Sequence, residues 1–414
     1  TWSVICRGIR SVGSIPFSQS SPWAIISPMP SIKQINPQYF ESRAATDWHR
    51  VSLGPTPPPF VPGLELCERF YFEAVRPTLQ RHFPALRYSA ARMDFGSEVL
   101  GFDTELSRDH AWAPQMTLYL EPEDLASMKE QIDAALQAHL PRTFQGYSTM
   151  GTDEYIWHMR ATPSESDRHK VRIESLDSFF STDLFGSPER ALSVVDWLSI
   201  PAQKLRVFTS GRTFHDGLGK LGPIQERLAW YPHDVWLLIM AVQWERIGER
   251  EAFPGRCVHV GDVQGAAWNV GWITRELATL CFLIERQYPV YSKWFGTAFS
   301  RLRSASDMLP LFQAIEEATE WQKIEELLGK AYCTLARLHN ALEITPPIEA
   351  KTQLYHQRPY RVLNCGRIAD ALRGTIGSDT AKAFPRGYGA VWQSVDSDIL
   401  LCDARFLAAY RALL

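Results

Sequence analysis

The stretch of this 414-residue chain best equipped for chemistry is Phe95-Gly96-Ser97-Glu98-Val99-Leu100-Gly101-Phe102-Asp103-Thr104-Glu105-Leu106-Ser107-Arg108-Asp109-His110-Ala111-Trp112. A small Gly96-Ser97 step after a strand lets backbone N–H groups approach phosphate oxygens closely. A carboxylate beyond the loop that follows, Asp109, can hold Mg2+ against the same phosphates. Position 111 shares a strand face with position 109, so a second carboxylate there would complete a metal pair for in-line phosphoryl chemistry. The residue is Ala111. Asp103 and Glu105 make another i, i+2 acidic pair inside the loop, either a solvated charge pair or, at Glu105, a substitute metal ligand. Glu174 ends an apolar strand and is a candidate third carboxylate, against the plainer reading of an exposed strand-end glutamate. Arg256 offers a bidentate fork and Lys293 a point charge, so both are candidates for facing phosphates across a cleft, or else for structural ion pairs. Asp216 and Asp262 read as caps or as partners of these cations. His110 points away from the face of Asp109 and reads as packed.

The Gly-Ser step, the spacer of eleven residues and the acid at 109 resemble the nucleotidyltransferase superfamily typified by DNA polymerase beta and the aminoglycoside nucleotidyltransferases. Within it, the run 96–110 is similar to the family known as domain of unknown function 4037. So are Asp196-Trp197-Leu198, Phe214-His215-Asp216-Gly217, Glu251-Ala252-Phe253-Pro254-Gly255-Arg256 and Tyr291-Ser292-Lys293-Trp294. The resemblance spans about Gly63 to Tyr360. It implies that Gly96 and Ser97, with Arg256 and Lys293, bind a nucleoside triphosphate. It further implies that Asp109 and Glu174 are catalytic and that Mg2+ sits on Asp109, with Glu105 the candidate to complete the metal site in place of the missing second carboxylate. The implied reaction moves a nucleoside monophosphate onto a small-molecule acceptor. The chain departs from the family where Asp-His-Asp-Trp-Gly-Pro-Arg is usual, reading Asp109-His110-Ala111-Trp112-Ala113-Pro114-Gln115. Phe95 also stands where a glycine is expected. A second reading therefore stands beside the enzyme: a catalytically degenerate homologue that binds a nucleotide or a protein.

The elements that must hold these residues follow from periodicity. Leu64 to Leu79 has a helical apolar face, Arg87–Met93 and Gln115–Leu120 read as strands, and a helix begins at Pro122 with Leu125, Met128, Ile132, Leu136 and Leu140 on its core side. Tyr155–Arg160 and Lys170–Glu174 read as further strands. From Leu192 the pattern is helical, with candidates over Pro223–Arg246 (interrupted at Pro232), Trp268–Tyr288, Tyr291–Leu302 and Glu320–Leu342. The expected class is α+β: a nucleotidyltransferase-type mixed sheet with helices over 62–190, then an all-helical domain over 191–414. Residues 1–61 form a Ser/Pro-rich tail. Before Glu41 it carries no acid and only Arg7, Arg10 and Lys33, which reads as a disordered leader or as a mitochondrial transit segment.

Bulk properties narrow the partners. Hydrophobic residues at 45% and charged residues at 21% supply a sizeable core. A formal charge of −3 with no basic stripe argues against a polynucleotide partner. The apolar run Trp236–Trp244 is too short to span a bilayer. Seven cysteines without CxxC spacing read as reduced thiols, with no zinc pattern, in a cytoplasmic protein.

Overall fold

Short apolar stretches at Ala90-Ala91, Met116-Leu118 and Val171-Ile173 pair into a sheet in the computed structural model, which describes residues 58–108, 112–151 and 168–414. Four strands build it: β1 (Ser89–Arg92), β2 (Met116–Tyr119), β3 (Val171–Glu174) and β4 (Arg212–Asp216), in the order β3-β2-β1-β4. β1 runs antiparallel to β2 and β4, and β2 runs parallel to β3. The register sets Ser89 opposite Tyr119, Tyr119 opposite Glu174, and Ser89 also opposite Asp216.

Alternation along the strands gives the sheet two apolar faces. Ala90, Leu118, Val171, Ile173 and Phe214 pack with Phe70, Tyr71, Leu79, Ile132 and Leu136. Those partners come from α1 (Gly63–Phe70), the π-helical turn Tyr71–Val75, α2 (Arg76–His82) and α3 (Pro122–His139). Ala91 and Tyr119 face the other way, into the larger core shared with the helices beyond residue 190. At its centre lies α4 (His233–Arg250), whose run from Val235 to Trp244 is wholly buried. Around α4 pack α6 (Val263–Ile284) and α9 (Gly366–Thr375), while α5 (Phe253–His259) and α8 (Trp321–Asn340) lie against α6. α7 (Ser292–Phe299) follows α6 through a short extended link. No helix among the described residues is long and apolar enough to cross a membrane.

The mixed α+β class holds, and the second half is mostly helical, with two exceptions. β4 lies there and closes the sheet, and Gln353–Leu354 pairs with Arg361–Val362. Phe214 is the one core residue of β4, so this strand is specified by its pairing with β1 more than by its own pattern. The helix expected over Pro223–Arg246 is two helices, Leu221–Arg227 and α4, and Pro232 is the N-cap of the second. A residue without an N–H costs least there. The expected strand Tyr155–Arg160 and nearly all of the expected N-terminal tail lie outside the described residues.

Candidate functional site

Arg92 ends β1 with its guanidinium buried, and it binds the loop that leaves the strand. Its Nε and Nη2 donate to Glu98 Oε1 at 3.1 and 2.7 Å, and Nη2 also donates to the Phe95 carbonyl at 2.8 Å. Glu98 is 2% exposed, and burial pushes its carboxyl above the usual range even with Arg92 beside it. The chain between them turns at Gly96, whose φ of +153° favours glycine. A Cβ at Gly96 would clash with the Glu98 carboxylate. The turn then closes through Leu100 N–H to Gly96 O, Gly101 N–H to Glu98 O and Phe102 N–H to Ser97 O. Among the described residues, the N–H groups of Gly96, Ser97 and Val99 donate to no carbonyl.

The outer side of this loop meets α7. Trp294 Nε1 donates to Ser97 Oγ at 2.9 Å, and the Trp294 ring stacks on Phe102 with centroids 5.7 Å apart. Burial pushes the Tyr291 phenol up, while interactions with the Ser97 and Trp294 side chains oppose the shift. Arg301 lies 4.4 Å over the Phe102 ring and donates to the Gly101 carbonyl at 3.1 Å. In the sequence Trp294 stands within the block Tyr291-Ser292-Lys293-Trp294, and Arg301 carries no motif of its own. Their link to residues some 200 positions earlier has no local signal.

The remaining candidates separate into groups. Asp109, with His110 and Ala111, lies outside the described residues. Glu105 is exposed at the start of the one-turn 3-10 helix Glu105–Arg108. Its neighbour Asp103 is structural: its Oδ2 accepts from Gly63 N–H at 2.7 Å, at the first turn of α1, and from Trp112 Nε1 at 3.0 Å. Glu174 ends β3 level with Ser89, away from the end of β1 where the loop leaves. Burial pushes its carboxyl up, Arg172 at 3.6 Å draws it down, and Asp94 raises it further. Arg172 in turn holds Asp94 at 2.9 Å, so one guanidinium bridges the two acids. Glu174 Oε1 and the Tyr119 hydroxyl are buried on this sheet face without a hydrogen-bond partner among the described residues. No hydrogen bond or ion pair among those residues joins Glu174 to Ser97.

Of the two candidate phosphate-binding cations, Lys293 is exposed, 5.1 Å over the Trp294 ring and therefore beside the loop. Arg256 is exposed on α5 and lies 5.5 Å over Phe253, with no contact to the loop among the described residues. Asp262 and Asp216 are caps. Asp262 Oδ1 accepts from Gly265 N–H at 2.7 Å, while Asp216 accepts from Ser89 Oγ and from the N–H groups of Lys220 and Gly222. The described cysteines are free, three of them buried and Cys402 exposed.

Residues 197–295 match the model of a family described as a domain of unknown function (DUF4037). The matched span contains β4, α4, α5, α6 and the Tyr291–Trp294 segment that docks on the loop, and it does not include the Gly96-Ser97 segment. No curated protein matches the chain.

Proposed function

We propose that the chain is a nucleotidyltransferase-like protein. It binds a nucleoside triphosphate at the Gly96-Ser97 loop and, when active, passes a nucleoside monophosphate to a small-molecule acceptor. One observation carries the reading. The loop is pinned from inside by the buried Arg92–Glu98 pair, while among the described residues the N–H groups of Gly96, Ser97 and Val99 have no carbonyl partner. A rigid turn with unspent N–H groups is an anion cradle. Lys293, beside Trp294, supplies a mobile positive charge within the same neighbourhood.

The ion this chemistry implies, Mg2+, would be held by Asp109 with oxygen ligands from the nucleotide, and bound there it would neutralise charge on the transferring phosphoryl group. The described acids fit it only in part. Among the described residues Glu174 Oε1 accepts no hydrogen bond, as a ligand oxygen should, but Arg172 lies 3.6 Å from it and bridges it to Asp94, so a second cation there would have to displace the guanidinium. Two specific observations favour the degenerate reading as the alternative. Ala111 stands where a second ligand belongs, and the Ser97 hydroxyl accepts from Trp294 instead of remaining open.

Calorimetric titration of Mg–ATP into wild type, Asp109→Ala and Ala111→Asp separates these outcomes. Wild-type binding that requires Mg2+ and is lost in Asp109→Ala supports the site. Absence of binding in wild type overturns it. If Ala111→Asp raises Mg2+-dependent affinity and turnover, by about 10²-fold for a regained transition-state contact, the site is degenerate. If Ala111→Asp abolishes binding, another acid already fills that place and the wild type is the complete enzyme.

A further inference from the structure

We infer that a pocket in the helical half, separate from the Gly96-Ser97 loop, binds a compact anionic small molecule through Arg250 and the unspent edge of Arg246. The cavity is about 250 Å³ and opens between α4, α6 and the segment 392–398. None of residues 95–102 lines it, although Tyr291, whose side chain also meets Ser97, does; the two sites adjoin without sharing the loop, and the inference stands whether or not the loop binds nucleotide.

Arg246 and Arg250 are one turn apart on α4, and like charges at i, i+4 repel. Both guanidinium groups lie over the same ring, Trp272 of α6, at 5.3 and 4.1 Å. Stacking on an indole uses the face of a guanidinium and leaves its in-plane N–H donors for acceptors. Arg246 spends Nε and Nη2 on the two oxygens of Glu276, at 2.9 and 3.0 Å. Gln243 also donates to Glu276 Oε2, at 2.7 Å, so this buried carboxylate is fully engaged. The positive charge of Arg246 is thereby answered. That of Arg250 is not: among the described residues it makes no ion pair and no hydrogen bond, although it is only partly exposed.

The pocket's other charges do not cancel it. Arg275 is held by Asp396 at 2.8 Å, and the Asp396 side chain is 77% exposed. Asp398 is likewise exposed, so water and salt screen both acids. The protein thus holds one unanswered fork, pre-set by Trp272, in a concave and largely polar site. Size selects the guest. Clefts for drug-sized ligands run roughly 300–1,000 Å³. At about 250 Å³ this one suits a small phosphate ester or carboxylate.

Isothermal titration with inorganic phosphate, glycerol phosphate and malonate, at physiological ionic strength, tests this on wild type, Arg250→Gln and Lys323→Gln. Lys323 is the control because it is exposed on α8, paired with Glu326, outside the pocket. The expected result is binding of at least one probe, weakened tenfold or more by Arg250→Gln and unchanged in Lys323→Gln. Preference for the phosphates or for malonate then names the head group, and either supports the pocket. If no probe binds, if Arg250→Gln binds as wild type does, or if both variants weaken equally through general charge loss, the inference fails. Should Arg250→Gln unfold, Arg250→Lys keeps the charge and stem without the fork, and wild-type affinity in that variant overturns the inference too.

Discussion

Arg92–Glu98 and Arg246–Glu276 are the same pair of residue types buried in two ways. At the end of β1 both partners are below 10% exposed, and Arg92 gives the loop every donor it is seen to use, to Glu98 and the Phe95 carbonyl. In the helical half, the Arg246 side chain is 27% exposed and its carboxylate partner also serves Gln243. The first pair is a lock, with its cost and its gain both internal. The second neutralises one arginine of a stacked couple and leaves its neighbour available. The difference shows that an ion pair's role is set by what remains unpaired around it, more than by the pair itself.

The largest expected effect tests that contrast directly. Glu98→Ala strands a buried guanidinium and should destabilise the fold by about 3–5 kcal/mol. Glu276→Ala leaves Arg246 within reach of water and should cost about 1.5–3 kcal/mol. Denaturant melts of both variants measure the gap, and equal losses would break the comparison. Next, Gly96→Ala places a Cβ against the Glu98 carboxylate at a φ suited to glycine, and about 1–3 kcal/mol of strain is expected. Much of that penalty should vanish when Glu98 is already alanine, so a double-mutant cycle with strong coupling sharpens the picture of a lock, and additive losses would count against it. The smallest effect is at the outer face. Trp294→Phe removes the indole donor to Ser97 and should cost about 1 kcal/mol in the same assay. Phosphate affinity at the pocket should stay unchanged, whereas a shift there would mean that the two regions are coupled through Tyr291.

Much of the frame around the loop was legible. Strand β1, strand β2, the helix from Pro122 and the strand ending at Glu174 follow from alternation, helical spacing and a proline at a helix start, all carried by neighbouring residues. The end of β1 at Gly96-Ser97 was legible too, because a glycine permits the positive φ that other residues rarely adopt. What escaped depends on partners remote in the chain. Ser97 with Trp294, Gly101 with Arg301, and Ser89 with Asp216 are joined across spans that no window of sequence connects. The arginine pocket had a weak signal in the i, i+4 spacing of Arg246 and Arg250, yet a tryptophan within a helical stretch such as Trp268–Tyr288 gives no sign of facing them. Only the packing of α4 on α6 turns its face toward the two arginines. Asp103 looked like half of an acidic pair, and its commitment to Gly63 and Trp112 depends on how α1 returns to the loop.

The edge strand β4 has a consequence in time. Ser89 waits for Asp216, 127 positions later, before β1 can bond on both sides. At the roughly 5–20 residues per second of protein synthesis, that is about 6–25 seconds during which a nascent chain carries β1 with one edge bare. Such an edge is a template for the wrong strand. A growing polypeptide of this kind needs either a chaperone at that stage or a late, concerted closure of the sheet, and its yield should fall when elongation is slowed between codons 92 and 212.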